Sequence, residues 1–251
     1  MGKIGKQNKV IVLTACINPK GMAYTALQNI EERKKQYTTA LKWYLENTTL
    51  PIVFVENTGY DISFDFDVFI KKKRLECLFF DGNSYPPKLG KGYGEALILE
   101  YALAHSEFLK KADYVIKITG RHIVFNINKL ISCRLTVRKR INLYAMRFRF
   151  YKDKKLDSRF IFMHKDFLEH YFLPYKDKLD DSIDYTFENL LYDSCRQWID
   201  DYHIVHMYYF PVDIIGMSGT SGERIERPTL FVLCRNFLTS LLFNSKIIKL
   251  Q

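Results

Sequence analysis

The sequence predicts an α/β fold in which a mainly parallel central sheet is flanked by helices, and three observations carry that prediction. Four short apolar runs, at 10–15, 51–55, 76–80 and 114–118, are strand-sized, and each stops at a polar segment. Two segments between them, 28–46 and 91–110, repeat apolar residues at helical spacing. Strands and helices therefore alternate, which is the pattern of βαβ units with parallel strands and crossover helices.

Taken in order, the run 10–15 is a buried strand, broken by the turn Cys16-Ile17-Asn18-Pro19-Lys20-Gly21. In 28–46 the stripe Ile30, Tyr37, Leu41, Tyr44 and Leu45 makes an amphipathic helix, with Arg33, Lys34 and Lys35 between the apolar positions. The run 51–55 ends in Glu56-Asn57-Thr58-Gly59-Tyr60-Asp61, and 76–80 ends in Asp81-Gly82-Asn83. In 91–110 Leu97, Tyr101, Ala104 and Phe108 share one stripe, and the strand 114–118 follows, ending in Thr119-Gly120-Arg121. Ligands of such sheets bind beyond the carboxyl ends of the strands, so these polar turns share the rim where a site is expected.

The second half is less regular. Segment 143–151 alternates Arg147 and Arg149 with Met146, Phe148 and Phe150, which predicts a strand with one cationic face, and 159–164 is expected to pair beside it. Segment 182–199 carries Ile183, Phe187, Leu190, Leu191 and Trp198 at helical spacing, so these residues should face the core with Glu188 at the edge of their stripe. A small-residue loop occupies 216–222. The division expected is one domain over 1–228 and an apolar, basic tail over 229–251.

Composition narrows the partners. With 251 residues and 47% hydrophobic content the chain can bury a core of single-domain size. The formal charge of +10 favours an anionic partner: nucleic acid, a phosphorylated small molecule or an anionic membrane. Cys16, Cys77, Cys133, Cys195 and Cys234 are scattered, with neither zinc-site spacing nor a disulfide framework. His203 and His206 lack a third ligand in the pattern, so no metal is assigned. The first nine residues are basic and polar and fit neither a signal peptide nor a spanning helix, so a cytoplasmic location is expected. In the tail Leu230, Leu233, Cys234, Phe237, Leu238, Leu241 and Leu242 form a helical stripe interrupted by Arg235, Lys246 and Lys249. Such a helix can dock on the core or lie on an anionic membrane surface, peripheral to the inner face, but is too polar to cross it.

The order of these elements resembles the GT-A class of glycosyltransferases. Phe54-Val55-Glu56-Asn57-Thr58-Gly59-Tyr60-Asp61 is similar to that class's strand and acidic turn around base and ribose. Lys91-Gly92-Tyr93-Gly94-Glu95-Ala96 and Ala112-Asp113-Tyr114-Val115-Ile116-Lys117-Ile118 resemble the helix and strand preceding its diphosphate site. Lys117-Ile118-Thr119-Gly120-Arg121 looks like a signature of bacterial surface-polysaccharide transferases. The resemblance implies a single GT-A-like domain, a nucleotide-sugar donor as co-substrate, and a glycan or lipid-linked acceptor. It also implies donor-binding roles for Thr14, Asn18, Arg33, Glu56, Asn57, Lys91, Glu95, Lys117, Thr119, Gly120 and Arg121.

One departure from the class is informative. Where a metal-dependent member places Asp-x-Asp, this chain has Thr119-Gly120-Arg121. The leaving diphosphate must still be neutralised, and Lys117, Arg121 and Lys91 are the nearest cations in sequence, so neither a cofactor nor a divalent metal is expected. Asp65-Phe66-Asp67 has the right letters but follows the second strand and reads as a solvated loop. An inverting transfer needs a carboxylate base for the acceptor hydroxyl. The resemblance points to Glu188, with Asp157 in reserve. Glycine at 120 is expected to let a ligand approach the backbone.

Two other readings compete. A nucleotidyltransferase on a related sheet wants a glycine-rich basic loop after the first strand, which Cys16-Ile17-Asn18-Pro19-Lys20 does not supply. A nucleic-acid-binding module draws on the charge and on the aromatic-basic alternation at 144–151. No helix-turn-helix, RNA-recognition or zinc-finger signature accompanies it, so nucleic acid is not an expected partner.

Overall fold

The computed structural model describes residues 7–20, 25–132, 138–144, 154–200, 202–217, 222–225, 227–246 and 249–250. In chain order the strands are β1 (Lys9–Ala15), β2 (Ile52–Glu56), β3 (Leu75–Phe79), β4 (Tyr114–Thr119), β5 (Ile123–Val124), β6 (Lys139–Leu143), β7 (Phe160–His164), β8 (His203–Met207), β9 (Ile214–Met217) and β10 (Arg224–Ile225). The helices are α1 (Ile30–Asn47), α2 (Asp67–Lys71), α3 (Gly90–His105), α4 (Glu107–Lys110), α5 (Ile127–Ile131), α6 (Phe187–Trp198) and α7 (Leu230–Asn244).

Seven strands form one sheet in the order β3-β2-β1-β4-β7-β6-β8, and β10-β9-β5 form a small second sheet. In the large sheet β3, β2, β1 and β4 run parallel, with Ala15 opposite Glu56 and Thr14 opposite Thr119. Strand β7 alone is reversed, pairing antiparallel with both β4 and β6, while β6 and β8 are parallel to each other. This is the mixed α/β architecture that the strand and helix alternation predicts.

Side chains of a strand alternate between faces, and here both faces are covered. Val10 and Val12 join a core under α3 and α6, while Ile11 and Leu13 join a second core under α1 and α5. Near-continuous apolar runs in β1, β2 and β4 are the sequence consequence. Helix α1 starts where Asn29 caps it, its side chain accepting from the Glu32 N–H at 2.9 Å, with Glu31 and Glu32 placed favourably in the first turn.

Two helix expectations are corrected. The helix expected over 91–110 is broken at Ser106, whose hydroxyl caps α4 through the Leu109 N–H at 3.0 Å. The helix expected over 182–199 begins only at Phe187, behind a Thr186 and Asn189 capping box. Residues 181–183 form a 3-10 turn that stops at Asp184 in the left-handed region, and Ile183 is 73% exposed instead of facing the core. Most of the cationic strand expected over 143–151 lies outside the described residues, as does the centre of the 216–222 loop. Asp67 pairs with Lys71 at the surface. His203 and His206 sit on strand β8, so spacing of three puts them on opposite faces.

Helix α7 packs against β8 and is tied to it by polar bonds. The Asn244 side chain accepts from the Met207 N–H at 2.9 Å and donates to the Met207 carbonyl at 2.8 Å. The Ser240 hydroxyl donates to the Tyr208 carbonyl at 2.6 Å, and the Asn236 amide to the Tyr144 hydroxyl at 2.8 Å. No helix among the described residues is long and apolar enough to cross a membrane.

Candidate active site

Strand order reverses between β1 and β4, and open sheets leave a crevice at such a point, beyond the strand ends. A cleft of about 1110 Å³ lies there. Residues at or just past the strand ends line it: Cys16, Asn57, Arg121, Tyr144 and Met207, together with Arg159, because the reversed β7 presents its start to this rim. Lys91 and Glu95 enter from the first turns of α3, and Glu188 from the first turn of α6.

Several of the charges singled out in the sequence are engaged by the protein itself, and Lys117 and Glu56 lie behind this surface. Lys117 is fully buried: its ammonium pairs with Glu95 Oε1 at 2.6 Å, donates to the Ser158 carbonyl at 2.5 Å, and lies 5.1 Å from the centre of the Phe187 ring. Glu95 also accepts from the Thr14 hydroxyl at 2.7 Å. Glu56, also fully buried, accepts from the Ile17 N–H (2.8 Å), Thr58 N–H (2.9 Å), Thr58 hydroxyl (2.5 Å) and Tyr60 N–H (2.8 Å). It holds the turns after β1 and β2 together. Arg33 is buried too, and its guanidinium donates to the Cys16 carbonyl through Nε (2.8 Å) and Nη2 (2.5 Å) and to the Leu27 carbonyl. Asn18 closes its own turn, accepting from the Lys20 N–H at 3.1 Å. The structure thus engages Glu56 and Lys117 in the scaffold of the rim, where burial demands partners, while Arg33, also held by backbone carbonyls, lines the cleft.

Gly120 is required by packing within the sheet. A Cβ there would sit 2.7 Å from the Thr14 carbonyl oxygen, to which the Gly120 N–H itself donates at 2.8 Å. The close approach it permits is between β1 and the turn after β4. Thr14 and Thr119, opposite one another in the register, both line the cleft floor.

Other polar atoms belong to cleft-lining residues and are unpaired among the described residues. The Nε and Nη1 of Arg121, the Oδ1 of Asn57 and the Nδ1 of His122 are buried and meet no hydrogen-bond partner among the described residues. Such groups are uncommon in native interiors and call for an explanation. Burial, and then the Arg121 charge, lower the Lys91 ammonium below the ordinary lysine value, against the pull of Asp181, Glu188 and Glu95. Two cations therefore repel each other in one cleft. Burial, and then Arg121, push His122 down to about 3, so its ring is neutral at ordinary pH.

The opposite wall holds the carboxylates. Glu188 lines the cleft and accepts from the Ser158 hydroxyl at 2.6 Å. Asp157 is engaged with Arg159, accepting at 2.7 Å from Nη2 and at 3.1 and 3.2 Å from Nε. Burial opposes the charge on Arg159, but Asp157 holds its guanidinium above the ordinary arginine value. Asp181, not singled out in the sequence, lies beside Lys91 with its carboxyl raised by burial. It also explains Gly90, which has φ 72°, because a side chain there would fall onto the Asp181 carboxylate. Arg159, Ser158, Asp181, His122 and Tyr144 carried no motif. The one signal for Arg159 was its place beside Asp157 at a strand start.

Among the described residues one trio has metal-ligating atoms close together: Asp166, Glu169 and His170. It follows β7, whose last residue His164 pairs with Tyr114 at the start of β4, so it lies at the far end of the sheet from the cleft.

No protein-family model matches the chain, and no curated protein sequence matches it. Its backbone is similar to that of several solved structures. One is the galactosyltransferase LgtC in complex with donor and acceptor sugar analogs, at 11% identity and TM-score 0.47, covering 80% of this chain and 74% of that one. Another is the glycosyltransferase GlyE of Streptococcus pneumoniae TIGR4, at 12% identity and TM-score 0.46; 80% of this chain covers only 45% of GlyE. A third is the inositol-1-phosphate CTP transferase of T. maritima, at 12% identity and TM-score 0.42, covering 81% and 86% of the two chains. Similarity of this degree is one of backbone arrangement.

Proposed function

We propose that the cleft binds a nucleotide-sugar donor and transfers its sugar to a hydroxyl of a glycan or lipid-linked acceptor of the kind built into bacterial surface polysaccharides. The observation that carries this reading is the Arg121 guanidinium, whose buried Nε and Nη1 lack partners among the described residues, beside Lys91 in a cleft at the strand-order reversal. A diphosphate supplies the missing acceptors and relieves the repulsion between the two cations. Asn57 Oδ1, at the turn after β2, offers an acceptor to the nucleoside.

In the proposed reaction the acceptor oxygen attacks the anomeric carbon while Glu188 takes the hydroxyl proton, as an inverting transfer requires. The bond from the anomeric carbon to the phosphate oxygen breaks, and its electron pair leaves on the diphosphate. Arg121 and Lys91 neutralise that charge, which is the work an Asp-x-Asp pair and its metal do in the metal-dependent members of the resembled class. Asp157 is a poor base because Arg159 already holds both its oxygens.

Calorimetric titration with a panel of nucleoside diphosphates, first with chelator and then with magnesium or manganese, tests both halves. Selective binding that persists in chelator is expected. Affinity that vanishes with chelator and returns with metal refutes the cation assignment, and no binding under either condition refutes the donor site. Release of pyrophosphate from a nucleoside triphosphate by the protein would favour nucleotidyl transfer instead.

A further inference from the structure

Helix α7 is packed with its polarity reversed. Toward the sheet it buries Asn236, Thr239, Ser240 and Phe243, at spacings of three, one and three, and the first and third bond to Tyr144 and to the Tyr208 carbonyl. Away from the sheet it presents Leu230 (75% exposed), Phe231 (76%), Phe237, Leu238 (54%) and Leu241. A helix on a water-facing surface normally shows the opposite arrangement. The patch continues onto the loop after β8, where exposed Tyr209 lies against Phe237 and the Lys129 ammonium sits 3.6 Å from the centre of the exposed Phe210 ring.

Charge selects the partner. Residues 227–251 contain Arg227, Arg235, Lys246 and Lys249 and no aspartate or glutamate. Asp213, from the loop before β9, pairs with Arg227 at 3.5 Å, Arg235 is half-buried, and Lys246 and Lys249 are exposed past the end of the helix. An apolar helix face about 22 Å long by its rise per residue, followed by two exposed lysines, fits a layer with anionic headgroups over acyl chains. A second copy of this chain would instead bring the exposed Lys246 and Lys249 against the same two lysines.

The geometry points to α7 as an interfacial anchor that lays its outer face on a bilayer containing anionic phospholipid. The anchor is joined to the cleft, since Tyr144 and Met207, which its inner face holds, both line that cleft. A docked protein thereby holds the cleft at a fixed position relative to the membrane surface, where a lipid-linked acceptor is presented. The surface itself is independent of the donor reading.

Co-sedimentation of the full chain with vesicles of phosphatidylcholine alone, and of phosphatidylcholine with phosphatidylglycerol, tests the anchor. Binding is expected only to the anionic vesicles. The double substitution Leu238→Ser, Leu241→Ser should abolish it, and Lys246→Glu with Lys249→Glu should weaken it by at least about tenfold. Both doublets change exposed positions, and an unaltered melting temperature and unaltered nucleoside diphosphate binding separate lost anchoring from lost folding. Equal binding by the Leu238→Ser, Leu241→Ser protein, or no binding by the parent, overturns the inference. So does a dimer in solution that the same two substitutions convert to monomer, since a second copy would then be the occupant.

Discussion

Lys117 and Arg121 stand four residues apart at the end of one strand, yet the fold uses them differently. Lys117 points back into the sheet, where Glu95, Ser158 and the Phe187 ring enclose it. Arg121 stands past the strand end and keeps two buried nitrogens without acceptors among the described residues. The same division separates Glu56, saturated by backbone donors of two turns, from Glu188, which takes one short bond from Ser158 and lines the cleft. An inner set of charges fixes the rim, and an outer set has capacity left for a ligand. If this division is right, substitutions in the inner set lower stability, and those in the outer set lower binding or turnover with the fold intact.

The largest expected effect belongs to the outer set. Glu188→Gln keeps the size and the bond from Ser158 but cannot take a proton, so transfer should fall by roughly two to four orders of magnitude. Donor affinity and melting temperature should hardly change. Single-turnover transfer beside donor titration measures both, and near-normal transfer would remove Glu188 from the mechanism.

Next in size is Lys117→Met, which leaves Glu95 facing a buried site without its counter-charge. Breaking a buried pair from one side costs about 3–5 kcal/mol, and the partial exposure of Glu95 favours the low end. At about 3 kcal/mol the melting temperature of a chain this size falls by roughly 6–12 °C. Adding Glu95→Leu should recover part of the loss, because an apolar pair can replace a buried ionic one. A Lys117→Met protein of normal stability that no longer binds nucleoside diphosphate would move Lys117 into the outer set.

The inner set also marks what was legible beforehand. Strands β1, β2 and β4 could be read because both faces of the sheet are covered, which leaves continuous apolar runs in the sequence. The rim followed from strand order, and Asn57, Thr119 and Arg121, named by rim position and by the family resemblance, line the cleft there. Sequence could not say which rim charges turn inward, since Lys117 and Arg121 differ only in where the strand ends. Nor did it find Asp181 or Ser158, which reach the cleft through tertiary contacts with Gly90 and Glu188. Helix α6 was placed too early because Ile183 extends its apolar spacing by chance, while the capping box at Thr186 sets the true start.

Arg121→Met is the converse of the lysine substitution. Removing a guanidinium that bonds a charged ligand should cost about 1.5–3 kcal/mol of nucleoside diphosphate affinity, or roughly 10- to 150-fold. Its Nε and Nη1 have no partner among the described residues to strand, so the melting temperature should hold. A fall in stability with unchanged affinity would place Arg121 among the scaffold charges.

The smallest effect distinguishes the two sets by sign. Burial and the Arg121 charge lower the Lys91 ammonium in the free protein, so between that lowered value and the ordinary lysine value the unfolded chain binds one more proton than the folded one. Stability from this group therefore rises with pH across that window, by at most about 1.4 kcal/mol per pH unit. Ligand affinity moves the other way. A bound diphosphate favours the protonated lysine, so affinity falls up to about tenfold per pH unit as pH passes the lowered value. Among the other groups facing Lys91, burial raises the Asp181 carboxyl above the ordinary aspartate value. Tyr85 and Tyr144 are both raised by burial above the ordinary tyrosine value, and Cys16 is pushed up to about 11. Lys91→Arg carries a charge that does not titrate in this range, so its affinity should stay flat with pH where the parent's declines. Parallel pH profiles for the two proteins would show that Lys91 does not meet the diphosphate, leaving Arg121 to carry the outer set without it.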